Sequence, residues 1–349
     1  MKKSLLALAV FGAFAGAASA QSSVTVYGIV DTGIAHIDNG GDNTVNAMRS
    51  GSNNSSRIGF KGVEDLGNGL KAEFVLEQGI NTDDGTTSSA GFNRLSYIGL
   101  NGDFGKVRLG RQNTPIKEAL SKIDPFGTAG MVNAITYLGG SANGIGAIPE
   151  RTPNQIVYIT PNFSGFSGEV AYQFGEAEDD NSANRAWGLQ LGYANGPLNV
   201  QFGYHDGNTT NTGVTPYVDQ NDLKIAMIGA AYDFGGFKLH GAYSQKKLES
   251  NITGIDDLKV KSALIGVTVP FGASAIRAEY INNNDDRKDF DNNVLALSYT
   301  YAMSKRTTLY ATYARVDNDD LSAQGFSGTR NVETGANTSG LAVGIEHRF

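Results

Sequence analysis

The sequence predicts an all-β protein, a 16-stranded antiparallel transmembrane β-barrel whose long third loop folds into the lumen. Segments of roughly ten residues alternate apolar and polar side chains, which is the periodicity of a strand with two different faces. After the N-terminus, no stretch holds the run of about 18 apolar residues that a membrane-spanning helix needs. Short turns and long polar connections alternate between the segments, as expected for a barrel whose two rims differ.

The N-terminus is typical of a secretory signal peptide. Residues 2 and 3 are lysines, residues 5–17 are apolar, and residues 18–20 have the small side chains of a cleavage site. We predict a signal peptide at 1–20 and one transmembrane β-barrel domain at 21–349. Cleavage would remove two lysines from a chain whose formal net charge is already −7, so the mature chain is more acidic.

Alternation continues along the whole predicted domain. In residues 70–77, for example, apolar side chains at the even positions oppose Lys71, Glu73 and Glu77. Short turns are predicted at 66–69, 101–103, 162–165, 194–197, 234–236, 270–272 and 303–305. Long polar connections are predicted at 38–55, 80–91, 112–153, 176–184, 206–221, 247–257, 282–291 and 317–338. Fifteen connections separate sixteen strands, enough to enclose a water-filled lumen.

The connection at 112–153 is the longest, at about forty residues, and a loop of that length in a compact domain is usually functional. We predict that it enters the mouth of the barrel and narrows it. Pro115 suits the first turn of a short helix ending near Lys122, and Thr114 suits its N-cap. The glycine-rich part at 139–146 favours irregular backbone.

Composition argues against several classes of protein. The chain has no cysteine, which excludes a disulfide framework. Its 35 acidic residues against 28 basic ones argue against nucleic-acid binding. Catalytic motifs of metalloproteases, serine hydrolases and phosphate-binding loops do not occur. We therefore predict no catalytic site, no metal site and no cofactor. The scattered histidines are His36, His205, His240 and His347.

Four stretches match a known family: VTVYGIVD at 24–31, SRIGFKGVEDLGNGL at 56–70, GKVRLGRQ at 105–112 and the terminal HRF. Together they resemble the trimeric general porins of β-proteobacterial outer membranes, over the whole chain. The resemblance implies a homotrimer in the cell outer membrane, in contact with its lipid and lipopolysaccharide, with one pore per subunit for small hydrophilic solutes. It also implies that Phe349 closes the last strand and is the signal read by the outer-membrane assembly machinery.

The resemblance also implies a pore constriction. Arg57, Arg94 and Arg151 match arginines that line the narrowest section in this family, and the carboxylates of Asp124 and then Glu118 match the opposite wall. The alternative is that the arginines are ordinary charges of a wet lumen. Because the strands of Arg57 and Arg94 adjoin the long loop, we favour the constriction.

Three functions remain open. The leading prediction is passive diffusion with a modest anion preference, because rings of arginine favour anions and the acidic outer loops are screened beyond a Debye length of about 8–10 Å. The alternative is a substrate-selective channel, which would favour a ladder of aromatic side chains along the lumen. The third is an outer-membrane enzyme or adhesin, and the sequence marks no Ser–His pair for one.

Overall fold

The computed structural model describes residues 23–41, 43–87, 91–138, 150–176, 178, 184–209, 221–249 and 256–349. The predicted signal peptide at 1–20 and the glycine-rich part at 139–146 lie outside these residues. The elements are β1 Ser23–Asp38, β2 Thr44–Ser50, β3 Arg57–Gly67, β4 Leu70–Gly79, β5 Leu95–Gly102, β6 Gly105–Asn113, α1 Pro115–Ser121, α2 Ala134–Leu138, β7 Arg151–Ile159, β8 Phe166–Gln173, β9 Ala186–Asn195, β10 Leu198–Thr209, β11 Asn221–Asp233, β12 Lys238–Glu249, β13 Leu258–Phe271, β14 Ser274–Asp285, β15 Asn292–Ala302, β16 Thr307–Asn318 and β17 Thr338–Arg348.

The structure has seventeen strands, and they form a barrel sixteen strands around. The strands β2 and β3 lie one after the other along the same edge of β1 and together count as one. The strand β1 pairs with β17 along one edge and, along its other edge, with β3 through Ile29 and with β2 from Thr32 onward. All pairings among the described residues are antiparallel. The strands β1 and β3 to β17 form the closed ring of sixteen, while β2 pairs with the part of β1 that extends beyond β3. The predicted sixteen-stranded antiparallel barrel is confirmed.

The strand β2 corrects one prediction, since residues 38–55 were expected to form a polar loop. The first strand has 16 residues, and its last part, from Thr32 to Asp38, extends beyond β3. Its backbone groups there are bonded by Thr44–Ser50. The polar composition of this segment therefore led to a wrong prediction of a loop. The backbone of a polar residue can form the hydrogen bonds of a strand as well as the backbone of an apolar residue can.

The two faces of the barrel follow the predicted alternation. Large apolar side chains point outward and are exposed, which is unusual against water but stable against hydrocarbon. Examples are Ile98, Leu109, Leu191, Ile265 and Val343. Aromatic rings gather at the rim of short turns, where Phe234 and Phe237 stack at 4.8 Å between centroids, as in an interfacial girdle.

We call the segment between β6 and β7 loop 3, and its described part packs against the inner face of the wall. Its apolar side chains Ile116, Leu120 and Ile123 are almost fully buried, and α1 lies against β9 and β10. Pro115 occupies the first turn of α1 as predicted, but the Thr114 side chain makes no capping hydrogen bond. No helix among the described residues is long and apolar enough to cross a membrane.

Candidate pore constriction

The predicted arginines lie at or next to the starts of three strands, and all three line one cavity of about 280 Å³ between the wall and loop 3. Arg57 begins β3, Arg94 directly precedes β5, and Arg151 begins β7. Glu77 of β4 lies between the first two: its Oε1 is 2.6 Å from Arg94 Nε and its Oε2 is 3.8 Å from Arg57 Nε. Tyr27 also donates to Glu77 Oε2, at 2.9 Å. The wall side of the cavity is therefore a carboxylate shared by two arginines.

Loop 3 supplies a second shared carboxylate, that of Glu150. Arg151 Nη1 lies 3.0 Å from Glu150 Oε2, which also accepts from Lys117 Nζ of α1. Burial lowers the pKa of Lys117 to about 8, although Glu150 opposes that shift. Burial acts to raise the pKa of Glu150, but Lys117 and Arg151 outweigh it and hold that pKa below its usual value.

Glu118 lines the same cavity, and its Oε1 accepts from Asn113 Nδ2 at 2.5 Å. The structure places Asp124 elsewhere. Its carboxylate is buried at the end of α1 and accepts from the backbone N–H groups of Phe126 at 2.8 Å and Thr128 at 2.6 Å. Burial raises the pKa of Asp124. Asp124 is not among the described residues that line the cavity, so its position gives no support to a role as a pore-wall charge.

The sequence analysis did not identify Lys117 or Glu150, and it placed Glu77 only on the polar face of its strand. Glu77 does reach Arg57, but its closer partner is Arg94. The sequence did contain a signal for Glu150, because it directly precedes Arg151. An acidic residue next to a predicted constriction arginine is expected to lie near the same site. Nothing in the sequence links Lys117 to Glu150, since the two lie 33 positions apart.

A larger cavity of about 530 Å³ continues from the constriction. Ser55, Arg94, Ala129 and Glu150 line both cavities, so the two are contiguous. The larger one is also bounded by residues 325–327 of the connection between β16 and β17. Within the described residues, no group of three or more His, Asp or Glu side chains is placed to hold a metal ion.

The last residue closes the barrel at the short-turn rim. Phe349 N donates to Gly28 O at 3.2 Å, and Gly28 N donates to Phe349 O at 3.1 Å. The aromatic ring lies so close to Gly28 that a Cβ there would meet Phe349 Cζ at 2.5 Å. Glycine at this position thus leaves room for the terminal ring.

A closed barrel with an apolar exterior, and a charged opening bounded by an inward loop, defines an outer-membrane channel. The family model for the Gram-negative porin matches residues 6–321, and the chain belongs to that family. The chain is 38% identical to outer membrane porin protein 32 of Delftia acidovorans and 34% identical to an outer membrane porin protein of Bordetella pertussis, over 100% of each chain. Its structure resembles that of an anion-selective porin from Comamonas acidovorans, with a TM-score of 0.84 and 34% identity over 94% of this chain and 100% of that chain. The protein is therefore an outer-membrane channel and not an enzyme.

Proposed function

We propose that the channel allows passive diffusion of small hydrophilic solutes and ions, with a modest preference for anions. The observation that carries this proposal is the charge of the constriction cavity, the one of about 280 Å³ described above. Four cationic side chains line it against three carboxylates. The cations are Arg57, Arg94, Lys117 and Arg151. The carboxylates are Glu77, Glu118 and Glu150.

The preference should be modest, because most of these charges are paired. Ions respond most to charges in the narrowest section, where low-dielectric walls focus the field. Paired charges form a transverse field there, and the surplus is one cation. The acidic outer connections lie in water and salt, which screens them beyond a Debye length of about 8–10 Å. The anion selectivity of the similar Comamonas porin supports the same sign.

The reversal potential in a salt gradient tests the proposal. We expect the wild-type channel to favour anions and Arg57→Ser with Arg94→Ser to shift the reversal potential toward cations, because Glu77 then loses both arginine partners. Lys288→Ser is the matched control, since Lys288 is 90% exposed in the connection between β14 and β15. Cation preference in the wild type, or equal shifts in the double mutant and the control, would contradict the proposal.

The same bilayer experiment separates passive diffusion from a substrate-selective channel. Passive diffusion predicts a large, steady conductance that rises with salt concentration and is not blocked by one particular solute. A binding site for a specific substrate predicts conductance that saturates with that solute. Saturation by a single solute class would favour the substrate-selective alternative.

We also propose that the signal peptide at 1–20 exports the chain and that Phe349 serves assembly into the lipid and lipopolysaccharide of the outer membrane. The proposed oligomer is a homotrimer. The wall formed by β5 to β8 has strands of only 8 or 9 residues, against 13 and 14 in β11 and β13. A tilted strand needs about 9–11 residues to cross the bilayer. The short wall is thus the side that suits a protein neighbour.

A further inference from the structure

Beside β1, the barrel wall is formed by β2 and then by β3, and a short segment on the lumen side separates these two strands. Residues 51–56, which we call the inner turn, lie between β2 and β3 while β1 continues unbroken beside both strands. The backbone of Asp31 holds both ends of this turn. Gly51 N donates to Asp31 O at 3.0 Å, and Asp31 N donates to Ser56 Oγ at 2.9 Å.

The carboxylate of Asp31 holds the middle of the inner turn. This side chain has no exposed surface. Its Oδ2 accepts from the backbone N–H groups of Asn53 at 2.9 Å and Asn54 at 2.5 Å, and its Oδ1 accepts from Tyr310 Oη at 2.6 Å. The neighbouring carboxylate of Glu346 accepts from the side-chain amides of Asn53 and Asn54, both at 2.6 Å. Charge-assisted bonds of this kind are strong, and losing the acceptor leaves buried donors unpaired.

The inner turn also contacts loop 3 and fixes its position. Met131 N donates to Ser52 O at 3.0 Å. The preceding Gly130 has a φ of +78°, and a Cβ there would meet Ser52 O at 2.7 Å and Asn53 O at 2.8 Å. Only glycine tolerates that conformation and that approach without strain. Asn53 Oδ1 also accepts from Arg277 Nη2 at 2.7 Å, which ties the turn to β14.

The inner turn is also part of the pore wall. Asn54 and Ser55 line the constriction cavity together with Thr128 and Ala129 of loop 3. A shift of the turn would therefore move the wall and the loop that faces it. We infer that Asp31 is a positioning residue for the constriction: its carboxylate fixes the inner turn, and the inner turn fixes loop 3 across the pore. This inference rests on the proposed function, because it takes the constriction to be the filter.

Two variants test the contact between the inner turn and loop 3, one from the wall and one from the loop. Asp31→Ala removes the acceptor in the wall, and Gly130→Ala places a Cβ against the turn from loop 3 without changing the wall. We expect both variants to increase open-channel current noise several-fold and to admit larger neutral polyethylene glycols, because loop 3 is no longer held. Asp31→Asn keeps one acceptor oxygen and should show a smaller effect.

Folding is checked by heat-modifiable migration on a denaturing gel. The control is Asn292→Ala, which removes a fully buried lumenal side chain bonded to Asn283 of the adjacent strand. Wild-type noise and polymer exclusion in folded Asp31→Ala and Gly130→Ala would overturn the inference, as would an equal effect in the control. If Asp31→Ala does not fold, Gly130→Ala decides. Neither readout depends on the sign of ion selectivity, so cation preference in the wild type would refute the proposed function alone.

Discussion

At the scale of single residues, Lys117 lines the proposed constriction and has a pKa near physiological pH. Its side chain is 7% exposed and lies in α1 beside Glu150. Desolvation favours the neutral amine, while Glu150 favours the charged form, and the pKa falls to about 8. Arg151 and Arg94 also oppose the Lys117 charge from the wall. The surplus of cations in the cavity thus depends on the protonation of one loop side chain.

Raising the pH through about 8 should therefore reduce the anion preference. Below that pKa Lys117 is charged, and four cations face three carboxylates; above it Lys117 is neutral, and three face three. Reversal potentials measured on both sides of this pH check the prediction. At every pH, the anion selectivity of Lys117→Gln should be as weak as that of the wild type at high pH. The reversal potential of the variant should therefore not change as the pH passes through about 8. A wild-type reversal potential that stays constant across the range would contradict the role of Lys117.

At the scale of elements, a row of glycines in the wall makes room for loop 3. A Cβ at Gly203 of β10 would meet Ile116 Cγ1 at 3.1 Å and Ala119 Cβ at 3.2 Å, and a Cβ at Gly229 of β11 would meet Ile123 Cδ1 at 2.1 Å. Glycine in a strand interior weakens the strand but allows another segment to approach closely. The wall therefore has a groove at these glycines, and buried side chains of loop 3 occupy it.

Filling this groove should displace loop 3 toward the pore axis. We expect Gly203→Leu to lower single-channel conductance, because the larger side chain occupies the space of Ile116 and Ala119. Gly241→Leu on β12 is the matched control, because a Cβ at Gly241 would have only Leu264 O, at 3.8 Å, near it. Both variants should close into barrels. Equal conductance in the two folded variants would show that the groove does not position the loop.

Particular residues show why the strands could be predicted and the site only in part. A strand between water and lipid must alternate, so residues such as Lys71, Glu73 and Glu77 mark their face in the sequence itself. The direction of the Asp124 carboxylate depends instead on nearby backbone N–H groups. Its Asp-Pro-Phe-Gly context is turn chemistry that favours such local bonds. The partner of Lys117 is fixed by the path of loop 3, which no local pattern encodes.

At the scale of the whole molecule, closure and the packed loop act together. The seam between β1 and β17 comprises ten register pairs, from Ile29↔Arg348 to Asp38↔Ser339. The closed ring of β1 and β3 to β17 has no edge strand at which unfolding could begin. On the inside, loop 3 joins residues of β1 and of β11 to β17 in one buried apolar cluster. Opening the seam would therefore also disturb interior contacts far from it.

We predict on these grounds that the protein is a heat-modifiable oligomer. In a denaturing gel without heating, the native species should migrate as a compact particle of trimer size. The closed ring of β1 and β3 to β17 has no edge strand at which detergent could begin to unfold it, and the short wall would remain in contact with its neighbours. After boiling, the chain should migrate as an unfolded monomer of about 36.9 kDa, less the signal peptide. Deleting Phe349, which removes its two backbone bonds to Gly28, should lower the temperature at which the shift occurs. Migration as an unfolded monomer before heating would contradict the prediction, and a compact monomer would contradict the trimer while leaving the closed barrel intact.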